Sequence, residues 1–249
     1  SWYNEDKTDR GALGRSGGGL NLNIDVLTLF PEMIEPVAAA SMLGRASKNG
    51  ILDIRAVNIR DFTQNKHKKT DDTPFGGGAG MVMSAQPVFD ALRSVDAQDK
   101  RILYMSPRGR KLERDLVTDL AAEENLVILC GHYEGIDERI IDFWKPEEIS
   151  IGDYILTGGE LAAMVVVDAV ARMIPSVLGN QESHMEESVY SGLIEYPQYT
   201  KPRVYEEMEV PEVLLSGNHK LIHLWKFEKA CEITKERRPD LWEAFVRDL

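Results

Sequence analysis

Small and hydroxylated residues gather at three places where an apolar run ends. Ser106-Pro107-Arg108-Gly109 follows Arg101–Met105, and Gly131-His-Tyr-Glu-Gly-Ile-Asp-Glu-Arg139 follows Leu126–Cys130. Ser150-Ile-Gly-Asp-Tyr-Ile-Leu-Thr-Gly158-Gly159-Glu160 overlaps the end of Glu148–Ile151. Glycine at a strand end lets backbone N–H and C=O groups approach a ligand closely. In open α/β sheets, ligands bind at the carboxyl ends of strands, so three such loops can wall one pocket. Any one of them is a turn that the fold needs; three in succession favour a pocket. A fourth cluster, Pro74-Phe-Gly-Gly-Gly-Ala-Gly80, follows Lys66, Lys68 and Lys69 and reads as a tether or as a loop cradling a base or cofactor.

Other chemistries are excluded by what is missing. No G-x-G-x-x-G follows a strand and no G-x-x-x-x-G-K-[ST] occurs, which removes the usual dinucleotide and nucleoside-triphosphate fingerprints. No G-x-S-x-G elbow follows a strand, and there is no H-E-x-x-H. His219 and His223 stand four apart on a helix, a spacing able to hold a metal, but no third ligand is suggested nearby and surface histidines are the better reading. No metal-ligating residue is assigned.

The elements that must position these loops follow from periodicity. Asn23–Phe30, Ile51–Val57, Arg101–Met105, Leu126–Cys130 and Glu148–Ile151 read as strands. Between them lie helical patterns: one bracketed by Pro31 and Gly50, then Pro87–Val95, Leu112–Glu124, Ile136–Trp144 and Glu160–Met173. Such alternation with near-continuous apolar strands predicts a mostly parallel α/β sheet covered by helices. The pattern breaks at Gly179–Glu195, a polar stretch without apolar period, and resumes as helices over Pro211–Leu215, Asn218–Arg237 and Pro239–Val246. The expected organisation is a leader over 1–21, an α/β domain over 22–178, an interdomain loop over 179–196 and a small helical domain over 197–249.

Charge is uneven along the 249 residues, which total 29 Lys+Arg against 41 Asp+Glu, a net of -12. The first 195 carry 20 positive and 31 negative side chains, a net of -11; the remaining 54 carry 9 and 10, a net of -1. Within the latter, His219–Arg238 has six Lys/Arg against three Glu, a net of +3, beside Trp225 and Phe227. The acidic total argues against indiscriminate nucleic-acid binding, whereas the local basic helix reads either as a salt-bridged face or as an RNA-backbone contact. Two distant cysteines, Cys130 and Cys231, make neither a disulfide framework nor a four-thiolate zinc site, and a reducing cytoplasm is the simplest compartment. The longest apolar run, Leu161–Val167, falls far short of the roughly 20 residues of a membrane span.

Taken in order, the loops resemble the bacterial tRNA (guanine-N1)-methyltransferases of the knotted SPOUT superfamily. The resemblance is carried by Leu27-Thr-Leu-Phe-Pro-Glu-Met33, Gly76–Gly80, Ser106–Leu112, Gly131–Arg139, Ser150–Tyr154, Gly158–Leu161, Asp168-Ala-Val-Ala-Arg172 and Pro197-Gln-Tyr-Thr-Lys-Pro202. It implies a deep trefoil knot in the α/β domain, with S-adenosylmethionine held there mainly by backbone groups. By match, Tyr104, Ser106, Pro107, Gly131, Tyr133, Glu134, Ile151, Gly152, Tyr154, Leu156, Gly158 and Gly159 would line its site. The implied substrate is guanine 37 of tRNA, next to the anticodon, whose methylation supports reading-frame maintenance. The helical domain would bind tRNA. A homodimer is implied, each active site being completed across the subunit interface, with no membrane association. Mg²⁺ stays open as an accessory ion.

Guanine N1 carries a proton at neutral pH, so its methylation calls for a base and for a cation where charge develops at O6. Matching the family, Glu187 would be the base and Arg172 the O6 partner. Two positions depart from the usual pattern. The base is commonly aspartate, so neighbouring Glu186 remains an alternative; and Lys201 stands where arginine is common, exchanging a planar fork for a point charge. Two competing readings are a knotted methyltransferase acting on another nucleotide and a non-catalytic RNA-binding scaffold using the His219–Arg238 face.

Overall fold

The computed structural model describes residues 21–175, 177 and 192–247. The expected leader, apart from residue 21, and most of the expected interdomain loop, with Glu186 and Glu187, lie outside the described residues. The chain divides into two compact units, one up to Val177 and the other from Leu178 onward.

The first unit is built on a five-stranded, wholly parallel sheet. Its strands are β1 (Leu22–Thr28), β2 (Leu52–Asn58), β5 (Arg101–Lys111), β6 (Asn125–Cys130) and β7 (Glu147–Ser150), in the order β2-β1-β6-β5-β7. Period-two alternation sends successive side chains to opposite faces. Leu103, Met105, Leu126, Ile128 and Cys130 thus join one buried cluster, while Ile102, Tyr104, Val127 and Leu129 join another. The first cluster is closed by α1 (Pro31–Ala38), α2 (Ser41–Lys48), α4 (Arg114–Leu120) and α6 (Glu160–Met173). The second is closed by α3 (Ala85–Ser94) and α5 (Glu138–Trp144). Burial on both faces explains why the strands read as continuous apolar runs rather than alternating ones.

Three sequence expectations are corrected. The helix bracketed by Pro31 and Gly50 is two helices. Ala40 is extended and Ser41 has φ 48°, and the turn closes so tightly that a Cβ on Gly44 would lie 2.1 Å from the Ala39 carbonyl oxygen. Ser106–Gly109 is not a loop after a finished strand but a bulge inside β5. Met105 and Arg110 both pair with Ile149, and a side chain at Gly109 would strike the Glu148 backbone at 2.3 Å. Two short hairpins also carry no apolar period and escape detection: β3 (Asp71–Asp72) with β4 (Val82–Met83), and β8 (Val204–Tyr205) with β9 (Met208–Glu209).

The second unit contains the β8–β9 hairpin and α7 (Glu212–Leu215), α8 (His219–Arg237) and α9 (Pro239–Arg247). Asn218 caps α8, its side-chain oxygen accepting from the Leu221 N–H at 3.3 Å. Buried Thr234 donates to the Ala230 carbonyl and accepts from the Ile194 N–H, which fastens the segment before β8 to the helix. Tyr199 packs on Trp225, and Lys226 lies 4.5 Å from the Tyr196 ring centroid. No helix among the described residues is long and apolar enough to cross a membrane.

Candidate active site

A cleft of about 530 Å³ opens where the bulge of β5 meets the carboxyl ends of β6 and β7. All twelve residues singled out for cofactor binding border it. Tyr104, Ser106 and Pro107 come from β5 and its bulge; Gly131, Tyr133 and Glu134 come from the segment after β6. Ile151, Gly152, Tyr154, Leu156, Gly158 and Gly159 come from the chain between β7 and α6. That last segment leaves the edge strand, passes the bulge of β5 and reaches β6. There the Gly159 N–H donates to the Gly131 carbonyl at 2.9 Å, and His132 and Gly158 form a β-bridge.

Close approach dictates the glycines at the meeting point. A Cβ on Gly131 would lie 2.8 Å from the Tyr104 ring, and one on Gly159 would lie 2.8 Å from the Cys130 Cα. Tyr104 is buried against Gly131, and burial first, with Glu148 nearby, pushes its phenol above the usual range. Tyr133, adjacent, holds a left-handed backbone (φ 60°) that turns the chain out of β6.

The Gly76–Gly80 loop is the connection between β3 and β4, and its stem docks on the same wall. The Glu134 N–H donates to the Met81 carbonyl, and the Met83 N–H to that of Gly135, both at 3.0 Å. Phe75, at the head of this loop, is fully exposed.

Sequence reasoning placed His132 and Glu160 in motifs without giving them work. In the structure they meet: His132 Nε2 stands 2.7 and 2.8 Å from the two carboxylate oxygens of Glu160, and Thr28 Oγ1 donates to Oε1 at 2.5 Å. Burial pushes the Glu160 carboxyl up, but the hydrogen bonds from His132 and Thr28 outweigh it and hold it below the usual carboxylate range. The only trace in the sequence is that each residue abuts a glycine.

Of the two catalytic assignments, only Arg172 falls among the described residues, and it does not border this cleft. Glu187 lies outside the described residues. Arg172 is half-buried in the last turn of α6, twelve positions beyond Glu160. At 1.5 Å per residue this is roughly 18 Å along the helix from the end that borders the cleft.

A cleft lined by glycine-rich backbone at the carboxyl ends of parallel strands defines a small-molecule-binding α/β protein. Residues 22–244 match the model of the family described as tRNA (Guanine-1)-methyltransferase TrmD. The chain belongs to this family. It is 54% identical over 226 residues to the tRNA (guanine-N(1)-)-methyltransferase of Clostridium acetobutylicum, covering 90% of this chain and 93% of that one. It is 52% identical over 224 residues to the protein of that name from Ruminiclostridium cellulolyticum, covering 89% and 96%. With that from Alkaliphilus oremlandii it shares 52% over 231 residues, covering 90% and 93%.

The family implies S-adenosylmethionine as the methyl donor, and the cleft suits it. The large side chains of Tyr133, Tyr154 and Ile155 are exposed around it, apolar surface for a planar base. The N–H groups of Ile155, Leu156 and Thr157 meet no backbone carbonyl among the described residues, leaving donors for a base edge. Glu134 and Glu138 at its border would offer negative charge to a sulfonium and an ammonium, and Arg108 positive charge to a carboxylate.

Proposed function

We propose that this protein methylates N1 of guanine 37 in tRNA, with S-adenosylmethionine seated in the cleft between β5, β6 and β7. Family membership carries the reaction. The observation that carries the site is the convergence of twelve residues, drawn from three separated segments, around one cleft. The chain passing from β7 across the bulge of β5 to β6 supports a trefoil knot there. A bound S-adenosylmethionine supplies a methyl group already activated on sulfur. The protein's work is then to align N1 with it, to accept the N1 proton and to neutralise O6. Tyr104, Tyr133 and Leu156, with the Gly158–Gly159 backbone, bind and orient the cofactor. Glu187, or its neighbour Glu186, takes the proton, and Arg172 holds O6.

Arg172 stands too far along α6 to serve its own chain's cleft, which supports a homodimer in which each subunit completes the other's site. The outward stripe of α6 supports it as well: Leu161 and Val165 are exposed, and the neighbouring α1 exposes Met33 and Val37. The second unit is assigned to tRNA. On α8, exposed Lys220, Lys235 and Arg237 have no acidic partner among the described residues, whereas Lys229 and Arg238 pair with Glu232 and Asp240. Local cationic surface of this kind reconciles RNA binding with a net charge of -12. The place of action is the cytoplasm, where tRNA is processed and Cys130 and Cys231 stay reduced.

The test is transfer of labelled methyl groups to a defined tRNA transcript, followed by mapping of the modified base. Label at N1 of guanine 37, lost when adenine replaces that guanine, is the expected result. Label at another nucleotide overturns the substrate assignment. No transfer and no cofactor binding overturn the enzyme.

A further inference from the structure

The contact between His132 and Glu160 is more than a buried hydrogen bond, because of where its atoms sit. Glu160 is 1% exposed and opens α6, directly after Gly158 and Gly159. Its carboxylate takes hydrogen bonds from Thr28, at the end of β1, and from His132, in the segment after β6. An ionised carboxylate only accepts, so Nε2 is the donor in this contact. One carboxylate therefore fastens three segments of the chain that converge at the carboxyl ends of the central strands.

The imidazole also occupies space that decides where the cleft's wall lies. It packs on Phe30 with centroids 5.0 Å apart and covers Gly158 so closely that a Cβ there would fall 2.2 Å from its Cε1. His132 and Gly158 bridge through their backbones, and Gly159 bonds to Gly131. A shift of the ring would thus carry Gly158, and the Ile155–Thr157 backbone before it, relative to Gly131 and Tyr133.

We propose that His132 and Glu160 are a positioning pair for the cofactor: the clamped imidazole sets the separation of the two cleft walls and thereby the affinity for the adenosyl group. The proposal rests on the reading that S-adenosylmethionine occupies this cleft. The pair touches no reacting atom, so its signature is in cofactor affinity rather than in the chemical step.

Two replacements of similar bulk separate the hydrogen bond from the packing. His132→Gln keeps an N–H within reach of Glu160, and His132→Leu does not. Calorimetry with S-adenosylmethionine, and methyl transfer at saturating tRNA, are measured on the whole chain. His132→Leu is expected to raise Kd and KM for the cofactor about tenfold or more, the loss expected of a buried hydrogen bond to a charged group. Its kcat at saturating cofactor stays within about threefold, and His132→Gln recovers most of the affinity. The double variant His132→Leu with Glu160→Gln leaves no unpaired charge at the pair, and is expected to remain weak for the cofactor while its thermal unfolding stays cooperative. Wild-type affinity in His132→Leu or in the double variant, or a loss confined to kcat, overturns the proposal while wild-type binding upholds the cofactor site. Absence of binding by the wild-type protein removes the methyl-transfer reading and this proposal with it.

Discussion

Gly159→Ala isolates a single contact at the heart of the cleft. Gly159 has φ -79° and ψ -10°, ordinary helical values, so alanine brings no backbone strain. In open space the exchange would stabilise the protein by about 0.4–1 kcal/mol through the unfolded chain. Here the new Cβ falls 2.8 Å from the Cys130 Cα and 3.0 Å from the Gly131 nitrogen, both backbone atoms that no rotamer change can move aside. Ordinary contact begins at 3.4 Å, so the start of α6 must part from the end of β6 by about 0.6 Å, the difference between 3.4 and 2.8 Å. Overpacking of this kind costs about 1–3 kcal/mol, which leaves a net loss of roughly 1–2 kcal/mol after the entropic gain. For a chain of this size that is a fall in Tm of about 2–8 °C. The displaced atoms carry the bond from the Gly159 N–H to the Gly131 carbonyl, so S-adenosylmethionine affinity falls as well, by about tenfold or more. Differential scanning fluorimetry and calorimetric titration read the two effects. Gly50→Ala is the control: its φ of 67° strains alanine, but no atom lies within 4 Å. It should cost about 1 kcal/mol and leave cofactor affinity unchanged. A Gly159→Ala protein with a raised Tm and unaltered affinity would refute the steric argument.

Arg172→Ala and Glu187→Gln should each lose most turnover while retaining cofactor binding, measured by methyl transfer to tRNA transcripts and calorimetry; near-normal methylation by Arg172→Ala sinks its assignment. Because the folded-state pKa of Glu160 is depressed, its stabilising contribution is full above the unfolded carboxylate value of about 4.3 and is lost as pH falls through the folded one. Chemical denaturation between pH 7 and pH 3 should therefore show wild type losing stability faster than Glu160→Gln, the difference closing at the acid end. Replacing Lys220, Lys235 and Arg237 of α8 by glutamine should weaken tRNA binding and reduce its salt dependence by up to about 0.7–0.9 for each phosphate no longer neutralised. Filter binding over a salt series checks it, and an unchanged slope would remove α8 from the RNA surface.

Much of the architecture was legible because burial on both faces of a parallel sheet makes apolar runs unmistakable. The expected strands at Asn23, Ile51, Leu126 and Glu148 begin within a residue or so of β1, β2, β6 and β7, and α6 spans the expected Glu160–Met173. The break between α1 and α2 was not legible, because Pro31 and Gly50 bracket both helices equally well; the turn depends on Gly44 lying beneath the Ala39 carbonyl. Nor was the β5 bulge. Pro107 and Gly109 look like the end of a strand, and it is pairing of Arg110 and Lys111 with β7 that continues it. For the site, the twelve cleft residues came from the family resemblance, carried by an ordered set of motifs.

By itself, then, the sequence determined which kinds of residue stand at the carboxyl ends of the strands. Those are local properties, set by glycine and periodicity; the family resemblance rests besides on the order of the motifs along the chain. Tertiary structure alone decided that Thr28, His132 and Glu160 share one carboxylate across as many as 132 positions, and that Arg172 lies far along the helix from the cleft. Pairing of that kind is set by strand order. Only the crossovers that place β6 between β1 and β5 bring those three segments together at the carboxyl ends of the central strands.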